Sequence, residues 1–324
     1  VLYWIYIFRK DVSDMIEVTD LVKRYGDKCA VDGVSFTVRK GEILGFLGPN
    51  GAGKSTTMNI LTGYLSSTAG TVKIDGIDIL EDPIEAKKKI GYLPEQPPLY
   101  PDMTVKDYLN FVCDLKKYRG DRREHLKKIC STVKIDGVYE RLIKNLSKGY
   151  RQRVGIAQAM IGNPEVLILD EPTVGLDPHQ IIEIRNLIRD LGRNHTVILS
   201  SHILPEVQAV CDRVIVIHHG KLVADGTPNS LSRQLSNDHR LTVRIDGPRR
   251  DVYNILSRIN GVVRVDDLGE KEPGTCDFQV EASPDTDLRR TIFSRMAERK
   301  YPILSMRSSE MTLEDIFLQL TGEG

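Results

Sequence analysis

The chain has 324 residues, and its 45 Lys and Arg side chains are balanced by 45 Asp and Glu side chains. This length predicts two domains with ample core, and the lack of net basic charge argues against a nucleic acid as partner. The five cysteines are scattered and show no C-x-x-C spacing, which is typical of reduced thiols in a cytoplasm. No apolar run reaches the roughly 18 residues that span a bilayer, so the sequence predicts no membrane-spanning helix.

The N-terminal segment, residues 1–14, is predicted to be an extension that is not part of the fold. Its apolar run Val1–Phe8 is too short for a membrane span, and no small-residue cleavage site follows it. The alternative is a segment that touches a membrane surface. The stretch Met15–Val18 is predicted to begin the first strand.

A phosphate-binding loop follows a strand-like stretch at 42–47. The loop fits the pattern G-x-x-x-x-G-K-[ST], and its residues are Gly48, Pro49, Asn50, Gly51, Ala52, Gly53, Lys54, Ser55 and Thr56. Glycines allow the tight turn that points successive N–H groups at phosphates, and the N-terminus of the next helix adds positive potential. Lys54 is expected to reach the β- and γ-phosphates of ATP, and the Ser55 hydroxyl is expected to bind Mg²⁺.

Two carboxylates follow a second buried strand. The run Val166–Leu169 is continuously apolar, as expected of a strand covered on both faces of a parallel sheet, and it is followed by Asp170 and Glu171. Asp170 is predicted to hold Mg²⁺ through its water shell. Glu171 is predicted to orient and deprotonate the attacking water.

The segment Leu146-Ser147-Lys148-Gly149-Tyr150 lies between these two elements. Together, the three elements resemble those of the nucleotide-binding subunit of an ABC transporter, over about residues 15–230. The segment resembles the family signature LSGGQ, with Ser147 and Gly149 retained. The resemblance implies that this signature covers the γ-phosphate bound by the other subunit of a dimer. Taken alone, a Ser-x-Gly start is an ordinary helix cap.

Three further positions match the family in chain order. The resemblance assigns Asp177 to the loop that crosses the dimer interface, His202 to the switch that contacts the γ-phosphate, and Tyr25 to stacking on adenine. Without the resemblance, these residues read as a helix cap, a structural histidine and a strand-packing aromatic. The pair His218-His219 before Gly220 is predicted to form a hairpin turn and not a metal site.

One position departs from the family pattern. The segment Ile90–Glu95 aligns with a family segment that usually ends in glutamine, the residue that senses magnesium and couples to the membrane partner. Here Glu95 takes that place and Gln96 follows. A glutamate still accepts hydrogen bonds from metal-bound water, so both residues remain candidates for the role.

A helical subdomain is predicted at about residues 97–160. Val105, Tyr108, Leu109, Val112 and Leu115 recur at helical spacing, and Thr104 with Asp107 resembles a capping box. In the family this region carries the signature and contacts the transmembrane subunit. The stiff segment Pro97–Pro101 suits a docking groove, and a plain proline-rich loop is the alternative.

A second domain is predicted at 235–324. Strands are expected at 241–245, 262–265, 278–280 and 303–306, and helices at 251–259 and 288–297. The order βαββαβ indicates an α+β ferredoxin-like domain. A closing helix is expected at Thr312–Leu320. No catalytic pattern occurs in this part of the sequence.

The fold class predicted is therefore an α/β P-loop NTPase of the ABC type, followed by a small ferredoxin-like domain. The resemblance, which extends to gliding-motility-associated and multidrug or polysaccharide export ATPases, implies an ATP-hydrolysing exporter subunit at the cytoplasmic face of the cell membrane. ATP and Mg²⁺ are the expected cofactors. The expected partners are a separately encoded transmembrane permease and a second copy of the chain, with a heterodimer also possible; no nucleic acid is expected.

Three other functions are weighed against the exporter. A DNA-repair ATPase would carry a long coiled coil between phosphate loop and signature, but only about ninety residues intervene, without sustained heptads. A ribosome-associated ATPase would carry two cores in one chain, and this chain has one. A nucleotide-binding regulator that does not hydrolyse is disfavoured by the presence of Glu171 and His202.

Overall fold

The computed structural model describes residues 14–228, 230–231, 240–283 and 286–308. The chain divides into two compact units, and the division falls after Pro228. In chain order the helices and strands of the first unit are β1 (Asp14–Tyr25), β2 (Lys28–Arg39), β3 (Ile43–Leu47), α1 (Lys54–Leu61), β4 (Ala69–Ile74), β5 (Ile77–Asp78), α2 (Pro83–Lys88), β6 (Ile90–Leu93), α3 (Val105–Leu115), α4 (Arg122–Val133), α5 (Lys148–Met160), β7 (Val166–Asp170), α6 (Pro178–Leu191), β8 (Thr196–Ser201), α7 (Leu204–Val210), β9 (Arg213–His218) and β10 (Lys221–Gly226).

A six-stranded sheet forms the centre of this unit, in the order β10-β9-β3-β8-β7-β6. All of its pairings are parallel except that of β9 with β10. Every residue of β3, β7 and β8 is buried, as expected of strands covered on both faces. This arrangement confirms the α/β P-loop fold predicted from the sequence.

The register of the central strands brings the functional segments to one edge. Leu47 at the end of β3 pairs with Ser201, and Asp170 at the end of β7 pairs with Ser200. Because β8 lies between β3 and β7, the phosphate loop and the acidic pair emerge beside the end of β8. Ligands of open parallel sheets bind at this carboxyl edge.

A second sheet, antiparallel and ordered β2-β1-β4-β5, packs on the first through a shared apolar core. The sequence predicted its first strand but not the sheet. The predicted boundary of the N-terminal extension is wrong by one residue, since Asp14 pairs with Arg39 and belongs to β1. Residues 1–13 lie outside the described part of the chain.

Three helices and short 3₁₀ turns occupy the region predicted to be helical. Helix α3 is capped as predicted, because the Thr104 hydroxyl accepts a hydrogen bond from the Asp107 N–H at 3.1 Å. Val105, Tyr108, Leu109 and Val112 are buried. Leu115, the last residue of the helix, does not belong to this buried face, because it is 65% exposed. None of the described helices is both long and apolar enough to cross a membrane.

The second unit has the predicted order βαββαβ over its described residues, with β11 (Arg240–Asp246), α8 (Arg249–Ser257), β12 (Val262–Gly269), β13 (Thr275–Ala282), α9 (Arg289–Glu298) and β14 (Ile303–Ser308). Its antiparallel sheet has the order β12-β13-β11-β14 and shares an apolar core with residues of α8 and α9. The classification as ferredoxin-like stays a prediction. The helix expected at Thr312–Leu320 lies outside the described residues.

Candidate functional site: the phosphate loop and the end of the central sheet

The phosphate loop has a backbone that requires glycine at two points. A Cβ on Gly53 would lie 2.5 Å from the Ala30 carbonyl oxygen, and the φ of Gly53 is +110°. A Cβ on Gly48 would lie 2.5 Å from the Ile217 carbonyl oxygen. Both distances are too short for a real Cβ, so any side chain here would displace backbone. The loop is further supported by a hydrogen bond of 2.9 Å from the Gly220 N–H to the Ala52 oxygen.

That last contact comes from the β9–β10 hairpin. Its turn contains His219 at φ 47° and Gly220 at φ 77°, and His218 pairs with Lys221 across it. The hairpin turn predicted for the two histidines is confirmed. Among the described residues, no group of three or more His, Cys, Asp or Glu side chains is arranged to hold a metal ion.

Lys54 is buried inside the phosphate loop, with its side chain 6% exposed. Its ammonium donates to the carbonyl oxygens of Gly48 at 2.7 Å and Pro49 at 3.3 Å. The same ammonium lies 3.3 Å from Glu171 Oε1. A cation at this position pairs with the Glu171 carboxylate and is able to bind an anion in the loop through charge-assisted hydrogen bonds.

Asp170 lies at the end of β7 and is 2% exposed. The Ser200 hydroxyl of the neighbouring strand donates to its carboxylate, and the Ser55 hydroxyl lies near it. Burial raises the pKa of Asp170, and the two hydroxyls act in the opposite direction. These oxygen ligands suit a hard divalent cation such as Mg²⁺.

Glu171 begins the turn after β7 and has an unusual backbone conformation. Its φ is 47°, a left-handed value that costs a residue other than glycine about 1 kcal/mol. Its N–H donates to Ser200, to the carbonyl oxygen at 3.2 Å and to Oγ at 3.1 Å. His202 Nδ1 lies 2.9 Å from Glu171 Oε2 and 3.0 Å from Oε1. The carboxylate is therefore held between a lysine and a histidine.

Lys54, Glu171 and His202 line one cavity of about 580 Å³, which we call the nucleotide cavity. Its lining residues are Tyr25, Lys28, Ala30, Asn50, Gly51, Gly53, Lys54, Ser55, Thr56, Glu95, Glu171, Val174 and His202. Tyr25 is 47% exposed at its rim, with Lys23 Nζ 5.3 Å from its ring centroid. An exposed ring at a cavity rim is available for stacking.

Glu95 and Gln96 differ in the cavities that they line. Glu95 lines the nucleotide cavity, whereas Gln96 lines only a neighbouring cavity of about 430 Å³, which we call the side cavity. Glu95 lines this second cavity as well. Of the two candidates for the magnesium-sensing position, Glu95 is thus the one beside the phosphate loop.

The residues assigned to the dimer lie outside the lining of the nucleotide cavity. Ser147 caps α5, accepting from the Tyr150 N–H at 3.4 Å. Asp177 caps α6, accepting from the Gln180 N–H at 2.9 Å. Gly149 is packed so closely that a Cβ would lie 2.6 Å from Gln180 Oε1. The helix caps expected from the sequence are present, and the roles of these residues toward a second subunit stay predictions.

Two site residues were not identified from the sequence. The Ser200 hydroxyl donates to the Asp170 carboxylate. Lys28 lines the nucleotide cavity together with residues of the phosphate loop. The available signals were a serine at the carboxyl end of a buried strand and a lysine within three residues of Tyr25.

The chain resembles known proteins over nearly all of its length. The family profile described as ABC transporter matches residues 31–174. Linearmycin resistance ATP-binding protein LnrL of Bacillus subtilis (strain 168) is 33% identical over 312 residues, which is 95% of this chain and 98% of that protein. Bacitracin transport ATP-binding protein BcrA of Bacillus licheniformis is 33% identical over 324 residues, which is 97% of this chain and 99% of that protein.

Solved structures agree with this similarity for the first unit. The dimeric structure of MJ0796, a bacterial ABC transporter cassette, is 28% identical with a TM-score of 0.61, covering 66% of this chain and 98% of that one. Neither a DNA-repair nor a ribosome-associated function appears in these names. The structure has a P-loop fold with a buried lysine in the phosphate loop and an acidic pair beside it. The two relatives named above match this chain over nearly their whole length. The chain belongs to the ABC transporter family, as one of its ATP-hydrolysing subunits.

Proposed function

We propose that the chain is the ATPase subunit of an ABC exporter, which binds ATP with Mg²⁺, closes as a homodimer and drives a separately encoded membrane-spanning permease from the cytoplasmic face of the membrane. The observation that carries the proposal is the division of the predicted ATP ligands. The phosphate loop, Glu171 and His202 line one cavity, whereas Ser147 and Gly149 do not. A second copy of the chain would supply the missing ligands.

The chemistry follows from the contacts of Glu171. Its carboxylate contacts the Lys54 ammonium and Nδ1 of His202, and these two contacts hold it beside the phosphate loop. A phosphate group in the loop attracts Lys54 and leaves Glu171 free to accept a hydrogen bond from water. The water oxygen then attacks the γ-phosphorus while its proton passes to Glu171. The bond from the γ-phosphorus to the bridging oxygen breaks, and ADP and phosphate result.

The residues that would hold Mg²⁺ are Ser55 and Asp170, with Glu95 facing the same cavity. A bound Mg²⁺ would supply charge neutralisation for the phosphate oxygens. Asp170 fits this role because it is buried and accepts a hydrogen bond from the Ser200 hydroxyl, which orients its carboxylate before any ligand enters.

The proposed permease contact is the segment 97–101, and it offers a direct test of the transport function. Leu99 and Pro101 line the side cavity, and Tyr100 is 51% exposed with its ring packed against Phe111 at 5.5 Å. We expect Leu99→Asp to abolish co-purification of the membrane protein encoded beside this gene, because a charge would enter an apolar contact.

The matched control for this test is Ile84→Asp, which changes an apolar side chain that is 70% exposed on α2. The control should still capture the membrane protein. ATP binding by both variants should equal that of the parent. Capture by Leu99→Asp at the parental level would exclude this segment as the docking site.

The second unit is proposed to support the dimer and not the chemistry. All assigned ATP ligands precede Gly220, and the division between units falls after Pro228. A chain ending at Pro228 should therefore bind ATP with parental affinity but need a higher protein concentration for half-maximal turnover. The measurements are soluble yield, ATP affinity and turnover at several protein concentrations.

A soluble truncated chain that binds no ATP would show that part of the ATP site is misplaced. Aggregation would show that the unit covers apolar surface instead.

A further inference from the structure

Glu95 stands between the two cavities described above. It lines the nucleotide cavity with Lys54 and Ser55, and it lines the side cavity with residues of α5. Val174 is the other residue that lines both. A carboxylate in this position is able to turn toward either cavity, so its preference depends on the groups that each cavity presents.

The side cavity presents hydrogen-bond donors from α5. Gln152 is 6% exposed, and its Nε2 atom is buried without a hydrogen-bond partner among the described residues. Buried polar groups are nearly always paired, and an unpaired donor is costly. A carboxylate entering from the neighbouring segment 95–97 is a suitable acceptor for this amide, because that segment lines the same cavity.

Lys148 supplies a positive charge to the same cavity. Its Nζ lies over the backbone of Gly175, so close that a Cβ on this glycine would be 2.1 Å away. Within the described part of the chain, Lys148 forms no ion pair. Lys144, which also lines the cavity, differs because its ammonium binds Asp102 at 3.0 Å. Lys148 is therefore a cation available to Glu95.

The nucleotide cavity presents carboxylates beside Glu95, and its buried cation is already paired. Glu171 lines the cavity together with Glu95, Asp170 lies at the end of β7 next to Glu171, and the Lys54 ammonium contacts Glu171 Oε1 at 3.3 Å. Without a metal ion, the charges of Asp170 and Glu171 disfavour a third carboxylate there. With Mg²⁺ bound, the same side becomes favourable for an oxygen ligand or for an acceptor of hydrogen bonds from metal-bound water.

We propose that the Glu95 carboxylate has two positions, and that Lys148 and Gln152 are the positioning residues that receive it when no metal is bound. The proposal rests on the magnesium site of the proposed function. Mg²⁺ and the two α5 residues compete for one carboxylate. Since α5 begins with the signature segment, each subunit's signature helix responds to metal in its own site as well as to the nucleotide of its partner.

The first test is a Mg²⁺ titration of the binding of a fluorescent ATP analogue, with the full chain dilute enough to remain monomeric. Lys148→Met removes the competing cation, so the Mg²⁺ concentration for half-maximal binding should fall by about two- to fivefold. Gln152→Leu should shift it in the same direction, and Lys148→Arg should restore the parental value. Lys144→Met is the matched control and should cause no shift. A structural defect would raise the required Mg²⁺ instead.

The second test needs neither metal nor turnover. In EDTA, Lys148→Met should lower the melting temperature by about 1 to 3 °C, and this loss should vanish in a Glu95→Gln chain. The proposal is overturned if the Mg²⁺ concentration for half-maximal binding is unchanged in Lys148→Met. It is also overturned if Lys148→Met lowers the melting temperature equally in the parental chain and in the Glu95→Gln chain. If ATP binding by the parental chain does not depend on Mg²⁺, the magnesium site of the proposed function is wrong. The comparison of melting temperatures in EDTA would then still show whether Glu95 and Lys148 form an ion pair.

Discussion

Replacing Glu171 by Gln should leave ATP binding intact and lower turnover by about 100- to 10,000-fold. Glutamine fills the same space and still accepts a hydrogen bond from His202 or Lys54, but it cannot take the proton of the attacking water. Because the phosphate loop is unchanged, ATP should still close the dimer, and the variant should accumulate in that form. Size-exclusion chromatography with ATP and Mg²⁺, together with a phosphate-release assay, measures both effects.

Glu206→Gln is a suitable control for this substitution. Glu206 is also buried, at 5% exposed, and the Thr173 hydroxyl donates to its carboxylate, but it does not line the nucleotide cavity. The control should hydrolyse ATP within a few-fold of the parent. If Glu171→Gln stayed monomeric with ATP and hydrolysed it at the parental rate, Glu171 would not be the general base.

Two inactive variants should recover activity when mixed, provided that each active site is built from two subunits. Ser147→Arg blocks the signature, and Lys54→Ala removes the charge that faces the β- and γ-phosphates. A heterodimer of the two has one site with an intact phosphate loop covered by an intact signature. With random pairing and independent sites, the mixture should reach about a quarter of the parental turnover, whereas each variant alone should be inactive.

The control mixture combines Lys54→Ala with Glu171→Gln. Both changes lie in the same nucleotide cavity, so every site of a heterodimer carries one of them and no activity should return. Recovery in this control would contradict the assignment of Lys54 and Glu171 to one site. Absence of recovery in the first mixture, with heterodimers verified by two affinity tags, would mean that sites are not shared or that both must work together.

Local sequence patterns were sufficient to predict much of this site. The phosphate loop and the pair Asp170-Glu171 are each predicted to follow a short apolar run, and both follow the end of a buried strand, β3 and β7. Their convergence follows from parallel pairing, because the carboxyl ends of neighbouring parallel strands meet at one edge.

Features that depend on which strands are neighbours were not predictable in the same way. The bond between Ser200 and Asp170 exists because β8 lies between β3 and β7, and no pattern within either strand encodes that order. The left-handed backbone of Glu171 is a second case, since this conformation is uncommon for a glutamate. Both N–H bonds of Glu171 go to Ser200, so tertiary contacts hold a conformation that local preference opposes.

The most direct test of the central claim is ATP turnover per subunit, measured with Mg²⁺ over a wide range of protein concentration. If hydrolysis requires two subunits around each ATP, turnover per subunit should be very low when the protein is dilute, rise with concentration and level off once the dimer predominates. Turnover per subunit that stays constant to the lowest concentration, in a protein verified as monomeric there, would contradict a composite site.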